Sequence, residues 1–84
     1  MSDFLKNKVV VITGGSDGIG KALIDILIPM GAKIATCGRN QDKLYNLQVQ
    51  YSGHLLHTMV ADVSRYNDCV SFIQSTIDTK KFIF

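Results

Sequence analysis

The run Val9-Val10-Val11-Ile12-Thr13, leading straight into Gly14-Gly15-Ser16-Asp17-Gly18-Ile19-Gly20-Lys21, constrains this chain more than any other feature. Four apolar β-formers enter a turn that holds four of the chain's seven glycines. An apolar run without polar alternation suits a strand covered on both faces, as in a parallel sheet under helices. Beyond the turn, Ile19, Leu23, Ile26, Leu27 and Met30 recur at i, i+4, i+7, i+8 and i+11, which predicts an amphipathic helix over 18–30. Strand, glycine turn and helix together aim unpaired backbone N–H groups and the positive end of a helix dipole at one point. Glycine serves there by adopting left-handed φ and by lacking a Cβ where a pyrophosphate must approach. The stretch reads as a phosphate-binding turn, hence a nucleotide site.

The rest of the chain extends this unit. Pro29 removes a hydrogen bond to the Asp25 carbonyl and crowds that turn, so the first helix kinks or ends there, with Gly31 as its C-terminal cap. A second strand is expected over 33–37, followed by a turn at Gly38-Arg39-Asn40. Asn40 is placed to cap a second helix over 41–50, with Leu44, Leu47 and Tyr51 on its apolar side and Ser52-Gly53 breaking it. A third strand over 55–61 exits at Asp62-Val63-Ser64. Ser64 is then the expected cap of a third helix, with Tyr66, Val70, Ile73 and Ile77 on its buried face.

The pattern β-α-β-α-β-α with short connections predicts the α/β class: a parallel sheet with right-handed crossovers, in the order 3-2-1 of a partial doubly wound (Rossmann) fold. Residues 1–7 read as a polar lead-in. Phe82-Ile83-Phe84 resembles the opening of a fourth strand, which in this fold pairs with the first. Without that strand, 9–12 would form an exposed apolar edge. Residues 1–84 are therefore expected to be the N-terminal part of one larger dinucleotide-binding domain. Self-association through the open edge of the first strand is one way to cover it.

Composition narrows the class. The chain is 46% hydrophobic and 19% charged, which is globular, and its net charge of +2 with no basic stripe argues against nucleic acid or an anionic membrane. No apolar run reaches the roughly 20 residues of a membrane span, and the first eight residues lack a signal-peptide core. Cys37 and Cys69 form no CxxC or ligand cluster and read as small hydrophobes in a reducing, cytoplasmic compartment. His54 and His57 carry no catalytic or ligand pattern with them.

Two phosphate signatures overlap in the glycine turn. Gly15 to Lys21 satisfies GxxxxGK, but the next residue is Ala22, where a P-loop needs a hydroxyl on Mg²⁺. Met59-Val60-Ala61-Asp62 could pose as the accompanying metal-binding strand, but alanine ligates no metal, so a degenerate P-loop NTPase is the weaker alternative. The dinucleotide template differs in spacing, Gly14-x-x-x-Gly18-x-Gly20 against GxGxxG. It fits in context, however, lying between a strand and a helix with a second strand to follow.

Thr13-Gly14-Gly15-Ser16-Asp17-Gly18-Ile19-Gly20 resembles the TGxxxGxG motif of the short-chain dehydrogenase/reductase family. Gly38-Arg39-Asn40 resembles that family's second-strand exit, and Asp62-Val63 its adenine-contacting pair. The resemblance implies that Gly14, Gly18, Ile19 and Gly20 lie along a pyrophosphate, with Ile19 offering its N–H. Ser16 would lie near the adenosine ribose, Asp62 would accept from the adenine amino group, and Val63 would pack and bond through its backbone. It also implies hydride transfer between a nicotinamide cofactor and a small carbonyl or alcohol, if a longer chain exists to bind that substrate.

Positions 37–40 read Cys-Gly-Arg-Asn, with no acid to meet a ribose 2′-hydroxyl and one guanidinium suited to phosphate, so NADP(H) is favoured over NAD(H). Asp17, an acid within the glycine turn, counts slightly the other way. The family's Tyr-x-x-x-Lys pair is missing: Val49, Leu55 and Val70 stand four positions after Tyr45, Tyr51 and Tyr66. No catalytic residue is assigned, and the 84-residue chain is expected to be inactive alone. A non-catalytic nucleotide-binding or interaction module is the alternative from another class.

Overall fold

The computed structural model describes residues 5–79 and Phe82. Its elements are β1 (Val9–Thr13), α1 (Gly18–Leu27), a 3₁₀ turn (Ile28–Met30), β2 (Lys33–Gly38), α2 (Gln41–Gln50), β3 (Leu56–Val60) and α3 (Tyr66–Asp78). The three strands form one parallel sheet in the order β1-β2-β3, the 3-2-1 arrangement of a partial Rossmann fold. None of the described helices is long and apolar enough to cross a membrane.

Local chemistry accounts for the element ends. Pro29 ends α1 by tightening it into the 3₁₀ turn, and Gly31, at φ +90°, closes that turn with its N–H donating to the Ile28 carbonyl. Asn40 caps α2, its side-chain oxygen accepting from the Lys43 N–H at 3.0 Å. The third helix differs from the sequence reading, because it begins one residue later, at an Arg65 N-cap without a side-chain bond. Ser64 instead donates both its N–H and its hydroxyl to Asp62 Oδ1, an Asx turn that engages the hydroxyl before it can cap. The lead-in is also less detached than its polarity suggested. Leu5 packs against the core, and its N–H donates to the Met30 carbonyl at 3.1 Å.

The sheet divides two cores. Ile24, Ile28, Ala32, Ile34, Leu47 and Leu56 pack on the α1/α2 face, while Ala35, Cys37, Ala61, Phe72 and Phe82 pack on the other. Neighbouring strand residues alternate between them, so Ile34 and Ala35 enter opposite cores. The strand buried on both faces is β2, whose four central residues are all buried, and not β1 as its apolar run suggested. β1 lies at the sheet edge, and Val11 is 45% exposed. Of the expected opening of a fourth strand, Phe82 is buried in the α3-side core, its ring edge-on to His57 of β3 with centroids 6.3 Å apart; Ile83 and Phe84 lie outside the described residues.

The helices turn differently from what their periodicity suggested. In α1 the sheet receives Ile24, with Ile28 just beyond, while Leu23 and Ile26 are exposed and Ile19 is 81% exposed. In α3 it receives Phe72 and Thr76, and Tyr66, Val70, Ile73 and Ile77 all face outward. Both helices carry two apolar stripes, so the 3.6-residue period alone does not say which stripe meets the sheet. Thr76 is tolerated in the core because its hydroxyl donates to the Phe72 carbonyl at 2.9 Å.

One buried hydroxyl joins the sheet to the glycine turn. Thr36, fully buried on β2, donates to the Ile12 carbonyl and accepts from the Gly15 N–H at 3.0 Å. A Cβ on Gly15 would overlap that hydroxyl and Ile24 Cδ1, so the glycine is required for this approach rather than for a ligand. Thr36→Val keeps the shape but leaves a buried N–H and a carbonyl short of a partner. It should lower unfolding stability by about 1–3 kcal/mol in a denaturant titration. A loss under about 0.5 kcal/mol would show that the clamp is not needed.

Candidate functional site

The carboxyl ends of the three parallel strands open onto a cleft of about 490 Å³. Gly14, Ser16 and Asp17 line it from the β1 turn, Gly38, Arg39 and Asn40 from the β2 exit, and Asp62, Val63 and Ser64 from the β3 exit. Ligands of open parallel sheets bind at this end, where successive loops diverge. Of the sequence candidates, Gly14, Ser16, Arg39, Asp62 and Val63 are brought together on its walls. Gly18, Ile19 and Gly20 form the first turn of α1 beside it.

That turn leaves donors free. Asp17 holds the N-cap position with extended backbone, yet its side chain makes no cap bond. Lys21 N–H bonds back to the Asp17 carbonyl, whereas the N–H groups of Gly18, Ile19 and Gly20 have no partner among the described residues. Three free N–H groups at a dipole's positive end are what an anion requires. Gly14 and Gly18 take left-handed φ of +70° and +52° to shape the turn. Gly20 has a second use, because a Cβ there would strike the Gly14 carbonyl and push α1 off the turn.

The opposite wall is carboxylate chemistry. Asp62 Oδ1 is engaged by Ser64, while Oδ2 has no partner among the described residues and remains able to accept. The Asp62 N–H donates to Asp68 Oδ2 at 2.8 Å, so a carboxylate in the first turn of α3 holds this loop. The Ser64 hydroxyl, then the Ser64 N–H, hold the Asp62 carboxyl below its ordinary value of 3.8; partial desolvation opposes them, and Arg39 and Arg65 add to the lowering. Arg39 makes no ion pair among the described residues and is exposed at the cleft lip. Cys37, buried on β2 at the cleft floor, has its thiol pushed up chiefly by burial, which keeps it protonated and unreactive.

Sequence reasoning missed several contributors. Thr36 and Gly15 gave no signal, since their contact spans 21 residues. Asp68 could have been noticed as an acid in the helix's first turn. Lys43 forms an ion pair with Asp17, both carboxylate oxygens lying 2.9 Å from its Nζ. His57 sits away from the cleft, its Nε2 2.9 Å from Ser75 Oγ.

A parallel 3-2-1 sheet with a glycine turn opening α1 and a cleft across its carboxyl ends defines the Rossmann class of nucleotide-binding folds. The family model described as short chain dehydrogenase matches residues 8–81, and the chain belongs to that family. It is 33% identical over 75 residues to an uncharacterized oxidoreductase of Staphylococcus aureus, covering 89% of this chain and 32% of that protein. An NADPH-bound short chain oxidoreductase from Pseudomonas aeruginosa with an atypical catalytic center superposes with a TM-score of 0.79 at 31% identity, over 90% of this chain and 32% of that one. A metagenomic short-chain oxidoreductase in complex with NADP superposes with a TM-score of 0.77 at 27% identity, over 87% and 34%. The chain thus spans about a third of the length of the relatives it matches.

The Asp62 arrangement sets a testable pH behaviour. Its folded value is lowered, so its contribution to stability is full above 3.8 and is lost as pH falls through the folded value. A carboxyl-carbon NMR titration should give Asp62 a midpoint below 3.8, and Ser64→Ala should move it upward by removing the largest cause. An unmoved midpoint would mean that Ser64 does not hold the carboxylate.

Proposed function

We propose that residues 1–84 form the NADP(H)-binding part of an oxidoreductase that transfers hydride between NADP(H) and a carbonyl/alcohol substrate. The observation that carries the cofactor preference is Arg39, a guanidinium without an ion-pair partner among the described residues, at the lip of a cleft whose second strand exits without an acid. A carboxylate at that exit would accept from a ribose 2′-hydroxyl and repel a 2′-phosphate, and a guanidinium does the reverse. Two structurally similar oxidoreductases, one NADPH-bound and one in complex with NADP, support the reading.

The residues present fit such a cofactor. The free N–H groups of Gly18, Ile19 and Gly20 take the pyrophosphate at the start of α1, beside the Cβ-free turn at Gly14. Ser16, which lines the cleft, would stand by the adenosine ribose, Asp62 would accept from the adenine amino group through Oδ2, and Val63 would pack against the base. When bound, the nicotinamide supplies the hydride chemistry, and this chain supplies binding and orientation. The uncovered edge of β1 and the outward stripes of α1 and α3 are apolar surface that the relatives' additional length would cover.

Two outcomes follow. Arg39→Asp should lower the ratio of NADP⁺ to NAD⁺ affinity by about tenfold or more in a binding titration, because attraction to a phosphate becomes repulsion. An unchanged ratio would remove Arg39 from the argument. The 84-residue chain alone should show no NADPH-dependent carbonyl reduction, since it carries no Tyr-x-x-x-Lys proton donor. Turnover that co-purifies with the chain would refute this, and tight binding with hydrolysis of Mg-ATP would favour the NTPase alternative.

A further inference from the structure

Asp17 is an acid at the N-cap of α1, where such a side chain ordinarily accepts from the helix's own first N–H groups. Here it leaves those donors free and reaches 26 residues along the chain to Lys43. Both Asp17 oxygens lie 2.9 Å from the Lys43 ammonium. The backbone on each side is fixed. Lys43 N–H is held by Asn40 one residue beyond Arg39, and the Asp17 carbonyl accepts from Lys21 N–H. Asp17 also lines the nucleotide cleft, and a second, smaller depression joins it to Lys43 and Lys21. Lys21 is engaged by Asp25, so Lys43 and Arg39 are the cations at the start of α2.

The geometry points to Lys43 as a second cation for a ribose 2′-phosphate, held in reserve by Asp17, so that this ion pair sets how strongly the cleft prefers a 2′-phosphorylated adenosine. The inference rests on the nucleotide reading above and deepens it. The pair is weakly held, with Lys43 49% and Asp17 66% exposed, so a dianionic phosphate arriving beside Arg39 competes well for the ammonium. A ligand without that phosphate meets a lysine already neutralised. Asp17 therefore moderates the preference that Arg39 creates, and its diverted side chain keeps the donors of α1 open to the pyrophosphate.

The test compares adenosine 2′,5′-bisphosphate with adenosine 5′-monophosphate, which differ only in the 2′-phosphate, by calorimetric titration of the 84-residue chain. Lys43→Gln should weaken the bisphosphate about fivefold to tenfold and leave the monophosphate within about twofold, whereas Lys43→Arg should keep the wild-type ratio. Asp17→Asn should raise the ratio of bisphosphate to monophosphate affinity about threefold or more. Both positions are exposed, and an unchanged circular dichroism spectrum would show that the variants fold. If the wild-type chain binds both ligands and Lys43→Gln leaves their ratio unchanged, this inference is overturned while the nucleotide site stands. It is equally overturned if Asp17→Asn leaves that ratio unchanged or lowers it, because Asp17 would then not be holding Lys43 back. A wild-type chain that binds neither ligand fails the underlying reading itself.

Discussion

The Thr36 hydroxyl is the interaction on which the rest of this structure depends. It sits fully buried in the middle strand, where an unpaired polar group would be costly, and meets both of its needs on β1 and the turn that follows. By accepting from Gly15 N–H it fixes how the chain leaves β1, and so where α1 begins. Gly15 must lack a side chain for that hydroxyl to reach it, and Gly20 must lack one for α1 to lie against the turn. The glycines of the motif thus divide their work between making room for protein and making room for an anion.

Charge in the cleft is close to balanced. Arg39 lines it with Asp17 and Asp62, and Lys43, in the first turn of α2, pairs with Asp17 from the adjoining depression. Ser64 donates to Asp62 twice and lowers its carboxyl value further, which commits one carboxylate oxygen to the loop and leaves the other without a partner among the described residues. This economy is typical of a recognition surface built on strand ends, where rigid strands place loops that carry the polar contacts.

The two edges of the sheet are treated differently. On β3, Gln48 from α2 donates to the Leu56 carbonyl at 3.2 Å and to the Thr58 hydroxyl at 3.1 Å, covering an edge group that would otherwise invite another strand. Among the described residues β1 pairs only with β2 and leaves Val11 half open, and the outward residues of α1 and α3 extend the apolar surface. Among the described residues, one edge of the sheet is met by a helix side chain and the other carries no further strand. This agrees with a chain that spans about a third of its relatives' length.

What the sequence determined is what depends on neighbours along the chain. The glycine turn, the Asn40 cap, the Pro29 ending with Gly31 behind it, and the order of strands and helices are all local chemistry, and they are legible as such. Arg39 was legible from the acid-free exit of the second strand, and Asp62 and Val63 from the family resemblance; the structure brings them to one end because strand exits in a parallel sheet converge there. Tertiary structure decided the rest. It chose Ile24 and Phe72 over the outward stripes, because a helix with two apolar faces is oriented by whatever the sheet presents. It buried β2 rather than β1, because coverage depends on position in the sheet and not on hydrophobicity. It also joined Thr36 to Gly15 and Lys43 to Asp17, since contacts across more than twenty residues leave no period or spacing in a sequence to read.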